Sequence, residues 1–415
     1  MFGLLPTALL AIISAFVHSP TGVIAAGQDL GRVLDAQKNL TVFQGLYRNH
    51  TKLFAEHIKN NVTIIAPNDA AFVRFGLERW NDIPENLVEA SLKYHMLADV
   101  VTMGSVIRGE SVYGATELTD PAFSNVTGGQ TMMLTKQPGD EVVFTSGFGE
   151  RGTVVADNVP FDGGLLQVID SVMRVPERLE TTARDAYKDL AAFLGALYAT
   201  DLIEEFAEMP DVSIFAPHNT AFQQLAGTLG SLNKTEMKRI LRYHIVPGNV
   251  THTWELKNDT ALATGANGTN ITVTRFNNYI FVNSAQIIQT DILLANGIMQ
   301  MIDNVLNPDQ PSARPNTNLT SQLPVYTATG VTATGTAVPT PFTSELPCTA
   351  SCPGWNSTTI SAVTVTSTRA TRTSTTTGGV RSTGANSNVA AARCTGLVGA
   401  GAALGVAMGA LVVGL

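Results

Sequence analysis

Residues able to do chemistry are sparse in this chain, and their spacing argues against a catalytic centre. Of seven histidines, His18 lies in an apolar leader. The other six, His50, His57, His95, His218, His244 and His252, form no HExxH or other close ligand pair. A zinc hydrolase sets two histidines four apart on one helix face so that both reach one ion. No G-x-S-x-G nucleophile elbow is present either. Gly147-Phe148-Gly149-Glu150-Arg151-Gly152 carries the letters of a dinucleotide-binding turn. That turn needs a helix N-terminus after it to hold a pyrophosphate. Thr153-Val154-Val155 follows and reads as a strand, so the segment is expected to be a hairpin turn. Cys348 and Cys352 could close a small disulfide loop in an oxidising compartment. They have no third or fourth ligand nearby for a metal. The expectation is therefore no catalytic residue, no metal and no cofactor, with non-enzymatic action favoured and enzymatic action left open.

What must position these residues is a motif set that occurs twice, about 150 residues apart. Val62-Thr63-Ile64-Ile65-Ala66-Pro67 is answered by Val212-Ser213-Ile214-Phe215-Ala216-Pro217, and Leu92-Lys93-Tyr94-His95-Met96 by Leu241-Arg242-Tyr243-His244-Ile245. Gly164-Leu165-Leu166-Gln167-Val168-Ile169-Asp170 is answered by Gly297-Ile298-Met299-Gln300-Met301-Ile302-Asp303. Three segments repeated in one order mean a duplicated domain, too long for a solenoid unit. Leu30, Val33 and Leu34, then Leu40, Phe43 and Leu46, recur at helical spacing. Asp82 to Met96 reads as a helix capped by Asp82, with Glu85 completing a capping box. Asn233 and Glu236 offer the same box in the second copy. Strands are expected at Val62–Ile65, Met132–Leu134, Val142–Thr145, Val154–Ala156 and Leu165–Ile169, and then at Ile271–Thr274, Ile280–Val282 and Ile298–Ile302. The first copy carries extra loop within residues 114–150. Helices first and strands later make each copy α+β. A catalytic constellation rarely needs two tandem copies, so pairs such as Tyr94/Tyr243 and Asp170/Asp303 favour a scaffold.

These three motifs resemble the fasciclin domain family. In that family they are a strand entering an Ala-Pro turn, a helix ending in Tyr-His, and a Gly-led strand ending in Asp-x-Val-Leu-x-Pro. Asp303-Asn304-Val305-Leu306-Asn307-Pro308 matches that ending; the first copy departs with Met173 and Pro176. The resemblance implies two tandem domains, each a β-sandwich wrapped by helices, at residues 29–176 and 177–308. It also implies that Tyr94, His95, Tyr243 and His244 are candidate interaction residues, because in animal relatives that segment is linked to adhesion. The other reading is a buried histidine that fixes a helix end. Asp291-Ile292 falls where animal members carry an integrin-binding element; a strand-end pair before the Asn296-Gly297 turn is the alternative.

The ends address the protein. Residues 1–26 read as a secretory signal peptide. Residues 309–386 are rich in Ser, Thr and Pro and cannot bury enough apolar area to fold, which suggests a disordered, O-glycosylated stalk. Leu397–Leu415 is an uncharged apolar end, preceded by a short spacer and small residues. That order is a GPI-attachment signal, with Asn386 or Gly384 as the attachment residue and 387–415 as the propeptide. Eleven Asn-x-Ser/Thr sequons suit a secreted glycoprotein: Asn39, Asn49, Asn61, Asn125, Asn233, Asn249, Asn258, Asn267, Asn270, Asn318 and Asn356. A glycan on Asn233 is expected to compete with its capping role. The formal net charge of -8, without a Lys/Arg cluster, leaves no electrostatic footprint for nucleic acid. The partners expected are an extracellular protein or cell-wall polysaccharide, and the membrane through the GPI anchor. The function expected is adhesion or binding at the cell surface. The alternative is an accessory role beside a secreted laccase-type oxidase in pigment or polyketide assembly, which fungal fasciclin-like proteins suggest.

Overall fold

The computed structural model describes residues 28–58, 61–76, 83–266, 268–319, 321–327 and 339–347. The expected signal segment 1–26, Asp82, Asn267, Cys348, Cys352, Asn356, Gly384, Asn386 and the expected propeptide 387–415 lie outside them. Among the described residues no helix is long and apolar enough to cross a membrane.

The first domain lays down helices Leu30–Ala36, Thr41–Asn49 and Thr51–His57 before its first strand, β1 (Val62–Pro67). Helix Asp69–Phe75 follows, capped by Asn68, whose side chain accepts from the Ala71 N–H. Helix Glu85–Tyr94 begins three residues later than the sequence suggested. Pro84 precedes it without a side-chain cap, and Met96 belongs to the next strand. The strands are β2 (Met96–Leu97), β3 (Ser111–Ala115), β4 (Thr131–Lys136), β5 (Val142–Thr145), β6 (Arg151–Phe161) and β7 (Gly164–Ile169). They form one sheet in the order β2-β1-β7-β6-β5-β4-β3. β7 runs parallel to β1, with Ile64 opposite Leu166, and antiparallel to β6. Gly164 must be glycine, because a Cβ there would stand 1.9 Å from the Val62 carbonyl oxygen.

The second domain repeats this plan. Its strands are β8 (Val212–Pro217), β9 (Ile245–Val246), β10 (Ala261–Ala263), β11 (Asn270–Phe276), β12 (Tyr279–Val282), β13 (Ala285–Leu294) and β14 (Gly297–Ile302). The order is β10-β11-β12-β13-β14-β8-β9, with β14 parallel to β8. Helix Lys234–Arg242 carries the full capping box of Asn233 and Glu236. The cap uses Asn233 Oδ1, which accepts from the Glu236 N–H at 3.0 Å. A glycan attaches through Nδ2, so cap and sugar do not claim the same atom.

Strand alternation gives each sheet two buried faces. Ile64, Ala66, Leu166 and Val168 face the helices and pack with Leu34, Phe43, Phe54 and Phe72. Ile65 and Ile169 face the other way and share a core with Met132, Leu134 and Phe144 of β4 and β5. The single sheet thus folds over itself into the sandwich. In β6 and β13 it does so through bulges. Asn158 and Asp291 stand there with φ of 53° and 57°, and the register shifts before Val159 and Ile292.

The folded unit runs past residue 308. Asn304 Nδ2 donates to the Gln322 carbonyl, and Tyr326, Phe342 and Leu346 pack on the second domain's helical core. Helix Ala191–Ala199 explains why. It is apolar on all sides, with Ala192 through Leu197 buried, so its second face needs a cover. The strap Thr340–Leu346 supplies it. The Phe342 ring meets Phe222 edge-on at 6.1 Å, and a Cβ on Gly195 would come within 2.1 Å of the Phe342 carbonyl oxygen. In the first domain the matching helix Thr41–Asn49 buries only Phe43 and Leu46, and Gly45 has open space where a Cβ would stand.

Candidate functional site

The four Tyr-His residues lie inside their domains. His95 is 3% exposed and His244 0%. His95 Nδ1 donates to the Ser91 carbonyl at 2.7 Å, and Nε2 accepts from the Met173 N–H at 3.0 Å. His244 repeats this with the Ile240 carbonyl at 2.8 Å and the Leu306 N–H at 2.9 Å. Each ring therefore ties the end of its helix to the chain just beyond the last strand. Burial pushes both imidazoles down to about 4, so both are neutral at pH 7. Tyr94 donates to the Thr131 carbonyl and Tyr243 to the Asn270 carbonyl, across the sandwich. Burial pushes both phenols upward. None of the four polar ends is offered to a partner in solution.

Asp170 and Asp303 close turns: Asp170 Oδ1 accepts from the Thr153 N–H at 2.6 Å and Asp303 Oδ1 from the Gln286 N–H at 2.8 Å. Gly147–Gly149 is a tight turn between antiparallel β5 and β6. The Arg174 guanidinium stacks over its Phe148 ring, 3.6 Å from the centroid.

The polar groups that do converge lie where the two domains meet. The β3–β4 connection, residues 116–130, is far longer than its counterpart 264–269, and it reaches the second domain. Gln130 Nε2 donates to the Leu294 carbonyl at 2.9 Å, and Asn125 Nδ2 to the Glu208 carbonyl at 2.7 Å. Thr127 donates its hydroxyl to Asp211 Oδ2 at 2.6 Å, so the Asn125 sequon spends both its amide and its hydroxyl on domain contact. Beside it, Tyr113 of β3 donates to Asp291 Oδ2 and lies 3.9 Å from the His252 ring centroid. Asp291, 6% exposed, sits in the β13 bulge rather than at a strand end, and it is buried in this junction. His252 Nε2 is buried there without a hydrogen-bond partner.

Two clefts flank the junction. An apolar one of about 300 Å³ is lined by Phe75, Leu87, Phe123, Val175 and Pro176. A polar one of about 380 Å³ presents Ser111, Thr135, Gln137, Thr145, Arg151 and Tyr187. Hydroxyl, amide and guanidinium groups of this kind can hydrogen-bond a sugar or a polar peptide. They contain no nucleophile paired with a base. Sequence reasoning missed this junction; the only signal for it was the extra length of the first copy.

The described sequons stand at the surface, Asn125 with its amide engaged at the domain junction. Asn39, Asn49, Asn61, Asn125, Asn233, Asn249, Asn258, Asn270 and Asn318 are all exposed.

Comparison with known proteins gives a consistent picture. The family profile described as Fasciclin domain matches residues 30–176 and 188–308. The chain is 28% identical to the Fasciclin-like arabinogalactan protein elcF of Phaeosphaeria nodorum, over 69% of this chain and 91% of that protein. It is 26% identical to the Fasciclin-like arabinogalactan protein of Arthroderma benhamiae, over 65% of this chain and 63% of that protein. A solved FAS1 domain pair from the insect cell adhesion molecule Fasciclin I aligns with 66% of this chain and 99% of that one, at 16% identity and a TM-score of 0.33.

Proposed function

The chain belongs to the fasciclin domain family, and from that premise we propose that it is a secreted cell-surface glycoprotein. It is held by a GPI anchor and acts as a non-catalytic adhesion or binding module toward an extracellular protein or cell-wall polysaccharide. One observation carries this reading. The chemically capable side chains that recur in both domains, His95/His244, Tyr94/Tyr243 and Asp170/Asp303, are spent on internal hydrogen bonds, while every described sequon is exposed. That division suits a rigid scaffold presenting glycans and loops. The names of the fungal fasciclin-like arabinogalactan relatives support an extracellular glycoprotein.

Two experiments test it. Phosphatidylinositol-specific phospholipase should release the protein from intact cells; retention with the Leu397–Leu415 peptide still attached would refute the anchor. Deleting the gene should weaken adhesion or wall binding, and the secreted head added back should restore it. Intact adhesion with loss of an oxidatively coupled pigment or polyketide would replace this reading by the oxidase-accessory one.

A further inference from the structure

We propose that His50, Glu85 and Glu89 form a binding site for one divalent transition-metal ion, with zinc as its probe, on the surface of the first domain. His50 stands between helices Thr41–Asn49 and Thr51–His57. Its side chain is only 7% exposed and makes no hydrogen bond among the described residues; Nδ1 lies 3.5 Å from Glu85 Oε1. Glu85 and Glu89 are four apart on helix Glu85–Tyr94, so their carboxylates share one face. One donor atom from each of the three residues lies within 4.8 Å of the other two. Donors around a zinc ion sit about 2.0–2.2 Å from it. A small side-chain rotation therefore closes the group, and Glu85, whose side chain is 75% exposed, is free to make it.

The chemistry of the set selects the ion. Two adjacent carboxylates repel, and a cation between them removes that cost. One imidazole with two carboxylates suits zinc or a neighbouring first-row ion, leaving a fourth position to water. Calcium and magnesium prefer all-oxygen sites.

The duplication supplies an internal control. In the register of the repeat, His50, Glu85 and Glu89 fall opposite Thr200, Lys234 and Lys238. Thr200 donates its hydroxyl to the Ala196 carbonyl at 2.7 Å, and Lys234 pairs with Asp201 at 2.6 Å. The fold is thus built equally well with two cations at this place. The His-Glu-Glu group is a property of the first domain and is not required for folding.

The test is zinc titration of the secreted full-length protein by calorimetry, with cobalt(II) absorption as a second readout. One equivalent should bind to this site and raise the melting temperature of the first domain. The double variant Glu85→Gln/Glu89→Gln changes exposed residues and should fold. It should lose zinc affinity by at least about tenfold and lose the cobalt spectrum. His50→Gln should do the same, and excess magnesium should not compete. Unchanged zinc affinity and stoichiometry in the double variant would place the ion elsewhere and overturn the proposal. So would the absence of zinc binding to the wild-type protein.

Discussion

Tyr113 donates its hydroxyl to Asp291 Oδ2 at 2.7 Å, joining residues 178 positions apart on different domains. Asp291 stands in the β13 bulge where the first domain has Asn158 in β6. Both residues lock their bulge in the same way. The backbone N–H of Asn158 donates to Gln167 Oε1 and that of Asp291 to Gln300 Oε1, while the Gln amide donates back to Oδ1. The exchange of Asn for Asp leaves this lock intact and turns the remaining side-chain atom from a donor into a charged acceptor. That acceptor takes Tyr113. Burial, followed by the Asp291 charge, pushes the phenol well above its ordinary range, so it remains a donor.

Tyr113→Phe should loosen the junction without unfolding either domain. It leaves Asp291 Oδ2 without its donor, at a cost of about 1–3 kcal/mol. Calorimetry should show the two domains melting less cooperatively, and proteases should gain access to residues 176–179. A single unchanged transition would show that Gln130, Asn125 and Thr127 hold the junction alone.

His95→Ala and His244→Ala should each lower the stability of their own domain by about 1–3 kcal/mol, because each strands a buried backbone N–H, that of Met173 or of Leu306. The two losses should add, since the rings share no partner. The pH dependence has a definite sign. The imidazoles ionise near 4 when folded, against an ordinary 6.5. Between these values the unfolded chain binds more protons, so stability falls as pH drops from about 6.5 to about 4, on the order of 3 kcal/mol per histidine. Melting curves across this window check it, and His244→Gln should flatten the response of the second domain alone. A fully stable His244→Ala variant that has lost partner binding would overturn the structural role.

Phe342→Ala should destabilise the second domain and spare the first. Truncating a half-buried aromatic over the apolar helix costs about 1–3 kcal/mol. Gly195→Ala should act on the same contact by displacing the strap backbone. Hydrogen exchange in helix Ala191–Ala199 should quicken in both variants, while helix Thr41–Asn49 stays protected.

At Asn233 the cap and the sequon can be separated. Thr235→Ala should abolish glycosylation there and keep the melting temperature. Asn233→Ala should abolish both and cost about 1 kcal/mol of cap. Glycopeptide mass spectrometry with thermal unfolding reads both outcomes. Equal stability of the two variants would mean that the capping box contributes nothing measurable.

The duplicated motifs were legible because they concentrate what backbone geometry demands: a mostly apolar, fully buried central strand, a glycine where two strands crowd, and a histidine at a helix end. The Asn233–Glu236 box was legible because it is local. The junction was not, because Tyr113, Asn125 and Gln130 meet partners about 80 to 180 residues away through single polar contacts that leave no periodic trace. The strap was hidden in a Ser/Thr/Pro-rich tract by composition. Its signal lay elsewhere, in the unbroken apolar run of Ala191–Ala199, which no amphipathic surface helix would carry. Met96 of the short strand β2 falls inside the helix expected over Asp82–Met96, because it follows the Tyr-His pair without a break.

The parallel pairing of β1 with β7 also sets a timetable. β7 is the last strand of its domain to be synthesised, yet it lies between β1 and β6. Until Gly164–Ile169 has left the ribosome, β1, every residue of which is buried in the finished fold, has β2 on one side and an open edge on the other. The second domain waits in the same way for Gly297–Ile302. Such long-range closure folds slowly and leaves a pairing edge exposed meanwhile. During synthesis, each half of this protein therefore depends on being kept from neighbouring nascent chains until its final strand arrives.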